Sequence, residues 1–456
     1  MPAIHDGPSK RPLRGRLRAW VEPWYAAFFL ANAVMGTSSI LIPLKLDRIY
    51  HLGPSHLGLL SSLTSAAAVI GSLLWGRLSD AVHRRKAFVV MSYLVVGIAH
   101  FGLALSTTFA GLVLHNAVLS LFWVANASVA VLLVIEGTDQ RVWESHISAL
   151  NLAGAVGWLV GLAAGGGIVS TALVLLSDRL GIQVLFVGLG VFALAASGLA
   201  AWLLPSPRPR YTERRFRGVM VAVGNLLLEA WRYSPLHLYH RISLRALPRL
   251  RKETRLFLLA SFLAFAGIGF FAVPLALLLS QRLGFSPSTV FFSYVLLHSG
   301  IVSAYPFALR RIRSRGNRRV QIQALSVRIA LLAGAAGVLW SGARIPWPLT
   351  APFLFVVGAT WSFFQLSGVA LASRLAAPEN RGLALGTYNA IAGASTIVAG
   401  ATSGYLAQHV GHHATYLASV ALLLSAVTVL ARLHDPPIAG PQDAESDRLS
   451  PNGHHE

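Results

Sequence analysis

The chain has 456 residues, of which 55% are hydrophobic and only 12% charged, with a mean hydropathy of +0.60. Soluble domains carry about 25% charged residues, so most of this chain is not solvated by water. With no cysteine, it excludes disulfides, thiolate metal sites and cysteine nucleophiles. A formal charge of +21 raises the question of nucleic acid, which the placement of the charges answers.

Residues 1–22 are basic and mostly polar. The run that follows, near 23–44, is long enough to span a bilayer and reads as a first membrane helix, not a secretory signal. A spanning helix needs roughly 20 mostly apolar residues. Further runs lie near 55–76, 87–106, 109–133, 146–171 and 182–204. A basic interval, 206–255, contains "GVMVAVGNLLLEAW" with Asn225 and Glu229. It reads either as one more span or as an amphipathic helix lying on the membrane. Six more runs lie near 256–279, 288–309, 321–341, 349–373, 383–407 and 414–432. The tail, 435–456, has the composition of a disordered segment. The predicted organisation is therefore a bundle over 23–205, a central loop over 206–255 and a second bundle over 256–434.

Charge decides the number of spans. With twelve spans and both termini in the cytoplasm, inside segments hold 32 of the 38 Lys and Arg residues. The outside loops hold Lys45, Arg48, Arg179, Arg282 and Arg344, and Arg328 is the remaining one. This is a strong positive-inside bias. A thirteenth span would put "RRIRSRGNRR" outside, so 206–255 is read as cytoplasmic, with the ambiguous piece at the interface. Basic residues spread over cytoplasmic turns meet anionic lipid headgroups, which removes the nucleic-acid reading.

The two sets of six repeat each other. At an offset of 239 residues, Gly154, Gly161 and Gly165 coincide with Gly393, Gly400 and Gly404. Trp123 in the fourth run has a counterpart in Trp361 in the tenth, and the basic turn after run two has one after run eight. Six is even, so the halves share one orientation, a parallel repeat about the membrane normal. Small residues at these spacings let helix backbones approach closely, and they mark where the halves would rock.

This pattern, over residues 20–434, resembles the major facilitator superfamily. The family's signature between helices two and three is matched by Gly76, Asp80, Arg84, Arg85 and Lys86, with His83 where the family has Gly. The resemblance implies that Asp80 ties the halves together in an outward-open state by capping the start of helix eleven, near Glu379–Gly382. A carboxylate favours a helix N-terminus, and a lone acid among arginines forms charge-assisted bonds. The plainer reading is a solvated basic turn that only sets orientation. A family efflux motif in helix five is met by Gly157, Gly161, Gly165 and Gly166, with Leu162 in place of Pro. The Arg of proton-coupled efflux members is absent from run 109–133.

The resemblance implies an all-α fold of twelve spans in two pseudo-symmetric six-helix bundles. It also implies a monomeric secondary transporter of a bacterial or archaeal plasma membrane that moves a small organic solute by alternating access. Export is the leaning. Uptake of a sugar-like or other neutral solute is the alternative, and a non-transporting receptor or scaffold is the reading from another class. No enzyme chemistry and no cofactor are expected. The sequence has no nucleotide-binding P-loop.

None of the seventeen acids falls in the middle of a span. The titratable candidates for proton coupling are then His100, His115 and His298. His298 is near the middle of run eight, where it would couple protons or serve as a packing histidine. Arg328 is expected to snorkel to the inner surface, and "HVGHH" at 409–413 to be a surface cluster and not a metal site. The predicted cavity lining is Asn32, Asn116, Trp123, Asn126, Asn151, His298, Trp361, Gln365, Tyr388 and Asn389. Neutral amides and rings suit a neutral or weakly charged solute.

Overall fold

The computed structural model describes residues 22–82, 85–137, 143–205, 251–343, 345–375 and 381–433. They form twelve long helices. The first six are α1 (Tyr25–Arg48), α2 (Pro54–Val82), α3 (Arg85–Leu105), α4 (Phe109–Gly137), α5 (Trp143–Leu176) and α6 (Asp178–Leu203). The second six are α7 (Lys252–Ala272), α8 (Pro287–Arg315), α9 (Asn317–Trp340), α10 (Trp347–Leu375), α11 (Arg381–His409) and α12 (His412–Ala431). Each predicted run lies on one of them. The interval 206–250, with its ambiguous apolar piece, lies outside the described residues.

Helices are the form these runs must take, because lipid offers the backbone no hydrogen-bond partners. Eleven of the helices are long and apolar enough to cross a membrane. That count covers the described residues alone; α2, with 29 residues, has the length to span as well. Local signals set several ends. Ser286 accepts from the Thr289 amide at 3.2 Å and Pro287 opens α8, an N-terminus of a standard kind. Gly316, at φ 80°, makes the reversal from α8 into α9. The seventh span runs past α7: Pro274 follows, and the chain continues through Leu275–Leu277 into a π-turn over Leu278–Arg282.

Within the first half, α1 packs on α5 and α6, α3 on α4 and α6, and α2 on α4. Within the second, α7 packs on α11 and α12, α9 on α10 and α12, and α8 on α10. Every pair has its counterpart six helices on, so the repeat seen in the glycines extends to the packing. The two largest contacts between the halves are α2 with α11 and α5 with α8, and these also map onto each other.

Two basic residues are not where the sequence suggested. Lys45 is not a loop residue: it lies on α1 and is 2% exposed. Its Nζ donates to the carbonyls of Leu103 and Ala104 and, at 3.4 Å, to Ser106 Oγ. The last carbonyls of α3 have no intrahelical donors, and a cation there also faces the negative end of the helix dipole. Arg328 does not snorkel. It is 4% exposed, with Nε donating to Thr360 Oγ1 at 2.9 Å and Nη2 to the Val357 carbonyl at 2.7 Å. A ready set of acceptors on α10 holds the guanidinium inside the second half.

Candidate functional site

The candidate site lies between the halves. On the face carrying the α1–α2, α5–α6, α7–α8 and α11–α12 turns, the halves are clamped together. Gln408 Oε1 accepts from the Ser55 amide at 3.0 Å and from the Ser55 hydroxyl. Ser62 Oγ donates to the Ile397 carbonyl at 2.6 Å, and Gln281 Nε2 to Asp47 at 2.8 Å. On the other crossing pair, Ser170 and Ser288 hydroxyls meet at 2.7 Å, and Ser288 donates to the Gly166 carbonyl.

Close backbone approach makes the α2–α11 crossing possible. A Cβ on Gly58 would collide with the carbonyl oxygen of Gly400 and come within 2.9 Å of the Gly404 Cα. Along α11, Gly404 and Gly400 are buried, Gly393 is half-buried and Gly386 is exposed. Gly386, Gly393 and Gly400 are seven residues apart and so share one face of the helix. A Cβ on Gly386 would meet nothing within 4 Å among the described residues. Among the described residues the crossing helices therefore touch from the clamped face as far as Gly393 and Val69, and part at Gly386.

Between these levels, α5 and α8 meet through rings. Trp158 stacks on His298 with centroids 5.9 Å apart, and Tyr294 stacks on the same imidazole at 6.4 Å. His298 Nδ1 lies 2.9 Å from the Tyr294 carbonyl. A carbonyl only accepts, so the proton sits on Nδ1 and the neutral ring keeps an acceptor at Nε2. Trp158 Nε1 and Gln365 Oε1 are buried with no hydrogen-bond partner among the described residues. One is a donor and the other an acceptor, and neither is charged.

The other predicted lining residues divide. Trp123 and Trp361 are both half-buried but meet helices that are not counterparts, the first Tyr93 of α3 at 6.5 Å and the second Phe265 of α7 at 6.2 Å. Asn151 and Asn389 are exposed, on the parts of α5 and α11 away from the clamp. Tyr388 is not a cavity residue. It is fully buried in the second half, stacked on Phe257 at 5.8 Å and edge-on to Phe265, an aromatic cluster that takes the ring inward. Asn126 is buried and accepts from the Tyr93 hydroxyl at 2.7 Å, and Asn116 is also buried. Asn32 donates to the Phe28 carbonyl at 2.8 Å in its own helix, beside Gly154. Asn126 and Asn32 thus have their partners within the first half.

His100 is fully buried between the Val96 carbonyl and Ser38 Oγ, and His115 Nδ1 bonds the Gly111 carbonyl. Of these three histidines, His298 is thus the one that the structure brings between the halves. In the histidine cluster, His409 stacks on Tyr405 and His413 meets Trp340 edge to face, and no group of three metal-ligating side chains occurs among the described residues.

The glycines serve two contacts. Gly157 and Gly161 face the α1 backbone at Phe29 and Ala33, inside the first half, whereas Gly165 and Gly166 face Phe291 of α8. Gly393, Gly400 and Gly404 all face α2, at Val69, Ser62 and Pro54 respectively. Ser55, Ser62, Ser170, Ser288 and Gln281 are clamp residues that sequence reasoning missed. Gly400 and Gly404 were the available signal, but their partners on α2 have no repeat to reveal them. In the signature turn, Gly76 and Asp80 fall on the last turns of α2, and Arg85 is buried at the first residue of α3 with Lys86 half-buried. The surroundings of Gly76, the side chain of Asp80, all of His83 and Arg84, and residues 376–380 lie outside the described residues, and so does the proposed Asp80 contact.

The family model described as Major Facilitator Superfamily matches residues 24–367 and 324–453. A search of the curated proteins found no match. Among solved structures, a mutant of the nucleoside transporter NupG superimposes with a TM-score of 0.69 at 13% identity, covering 91% of this chain and 99% of that one. The xylose transporter XylE from E. coli, in an inward open conformation, gives 0.68 at 14% identity, covering 93% and 98%. A bacterial homolog of the human lysosomal transporter Spinster, inward-facing and occupied, gives 0.67 at 13%, covering 93% and 98%. These likenesses concern the fold. The chain belongs to the major facilitator superfamily and is a multi-pass membrane protein for secondary-active transport of small solutes across the bilayer.

Proposed function

We propose that this chain imports a small, neutral, ring-bearing polar solute together with a proton. The supporting observation is the ring stack across α5 and α8, in which Trp158 Nε1 is buried without a partner among the described residues, as Gln365 Oε1 is on α10. A buried donor and a buried acceptor without partners each cost free energy that a polar solute would recover. Phosphorylated solutes would call for a midplane cation aimed into the space, and Arg328 is turned into α10. Nucleoside and xylose transporters are among the proteins of the same fold, and sugars and nucleosides have the chemistry that this lining suits.

In this reading the clamped face is external and the parted face cytoplasmic, which agrees with the positive-inside distribution of charge. In the alternate state the clamp opens and Asp80 closes the inner side against the start of α11. Import replaces the leaning to export because the α5 glycine motif has a packing explanation: Gly157 and Gly161 simply seat α1. The test is uptake into proteoliposomes of labelled pentoses, hexoses and nucleosides under an imposed pH gradient. Accumulation driven by an acidic exterior supports proton-coupled import. Gradient-driven extrusion, or transport indifferent to the gradient, defeats it.

A further inference from the structure

Away from the space between the halves, α8, α9 and α10 enclose a groove of about 860 Å³. Its walls are apolar, with Phe307 61%, Val327 47% and Val356 39% exposed. At one end stand Arg310 and Arg311, both exposed, within two turns of the end of α8. Arg311 Nε reaches Gln323 Oε1 of α9 at 3.4 Å, so the basic end spans two helices. From Val320 to Val327 the α9 wall runs about 10 Å along the helix. The groove is thus basic at the membrane-surface end and apolar toward the middle.

A second observation concerns charge. Arg328 is nine-tenths buried, and among the described residues no carboxylate lies in ion-pair reach of it. Its partner Thr360 and its neighbours Ser326 and Val327 all line the groove. Buried cations inside a membrane are costly unless an opposite charge compensates them. Three arginines therefore put positive potential on a groove that the span sequence otherwise leaves without acids.

We propose that this groove binds one anionic phospholipid. The phosphate sits between Arg310 and Arg311, and an acyl chain lies along Phe307, Val327 and Val356. Basic residues at the membrane surface attract anionic headgroups, guanidinium binds phosphate through paired hydrogen bonds, and the apolar length takes methylene groups. The bound lipid would hold α9 to α8 and α10 at the periphery of the second half.

The test measures thermal stability of the purified protein in detergent against added phosphatidylglycerol. The expected result is a saturable rise in Tm. Arg310→Gln with Arg311→Gln should weaken the half-saturating lipid concentration by roughly tenfold or more. Arg313→Gln with Arg315→Gln, removing equal charge from the same helix end outside the groove, should leave it within twofold. Val356→Trp fills the groove without touching charge and should abolish the rise, which keeps the proposal testable if the first double variant fails to fold. An equal rise with phosphatidylcholine, an equal rise with glycerol phosphate, or equal losses in both arginine pairs would overturn it.

Discussion

His298 of α8 lies over Trp158 of α5, ring planes 30° from parallel, and this stack belongs to neither half alone. Rocking of the halves must break it. The imidazole Nδ1 proton is committed to the Tyr294 carbonyl, so a second proton would arrive at Nε2 and put a cation between the halves. Proton and conformation are then linked through one ring.

His298→Gln should abolish the pH-gradient dependence of uptake while leaving solute exchange at zero gradient. Retention of gradient-driven accumulation would remove His298 from the coupling. Trp158→Phe keeps the ring and loses the orphan donor. It should cost about 1 kcal/mol of solute binding, roughly a fivefold rise in KM. Trp158→Ala, which also loses the stacking, should cost about 2 kcal/mol.

Ser170 and Ser288 hydroxyls are 2.7 Å apart across the α5–α8 crossing, near the reach of a disulfide. The chain has no native cysteine, so the pair Ser170→Cys with Ser288→Cys can be introduced without background. Oxidation should stop transport and reduction restore it. Full transport with the crosslink verified by mass spectrometry would mean that the clamp does not open during the cycle.

Gly58→Leu should force α2 from α11, because backbone of Gly400 and Gly404 already occupies that space. Interior contacts are close-packed and cannot absorb such a side chain locally. The outward-open population should rise, read as increased labelling of a cysteine placed at Ser62 from the clamped side. Unchanged labelling in a folded variant would show that the crossing yields in some other way.

Lys45→Met should lower Tm. The methionine keeps the length but leaves the Leu103 and Ala104 carbonyls at the end of α3 without their donor. The cost is about 1–3 kcal/mol, and Lys45→Arg should recover part of it. A melting curve superimposable on the parent would remove the capping role.

Asp80→Asn should shift the balance toward the parted state described here and reduce transport, with expression intact. Full activity in this variant would leave the signature turn with orientation as its only task.

Much of the molecule is legible from one dimension. Lipid offers no partners to the backbone, so each crossing must be a helix of about 20 apolar residues, and such runs are visible without neighbours. The count of twelve followed from those runs and the inside excess of Lys and Arg, and the parity of the repeat and the family resemblance from the spacing of Gly154, Gly161 and Gly165 against Gly393, Gly400 and Gly404 and from the signature turn at Gly76–Lys86. The absence of midspan acids was legible as well, and it left histidines as the candidates for proton coupling.

Only the tertiary structure decided which way each residue faces. These helices are apolar nearly all round, so periodicity does not say which side meets protein. Tyr388 therefore read as a cavity residue until Phe257 and Phe265 drew it inward. Lys45 read as a loop charge until the end of α3 supplied its acceptors, and Arg328 as a snorkelling one until Thr360 and Val357 did the same. The clamp serines carry no pattern of their own. Their role exists only because a second helix, hundreds of residues away in the chain for Ser55 and Ser62, is brought within hydrogen-bond distance.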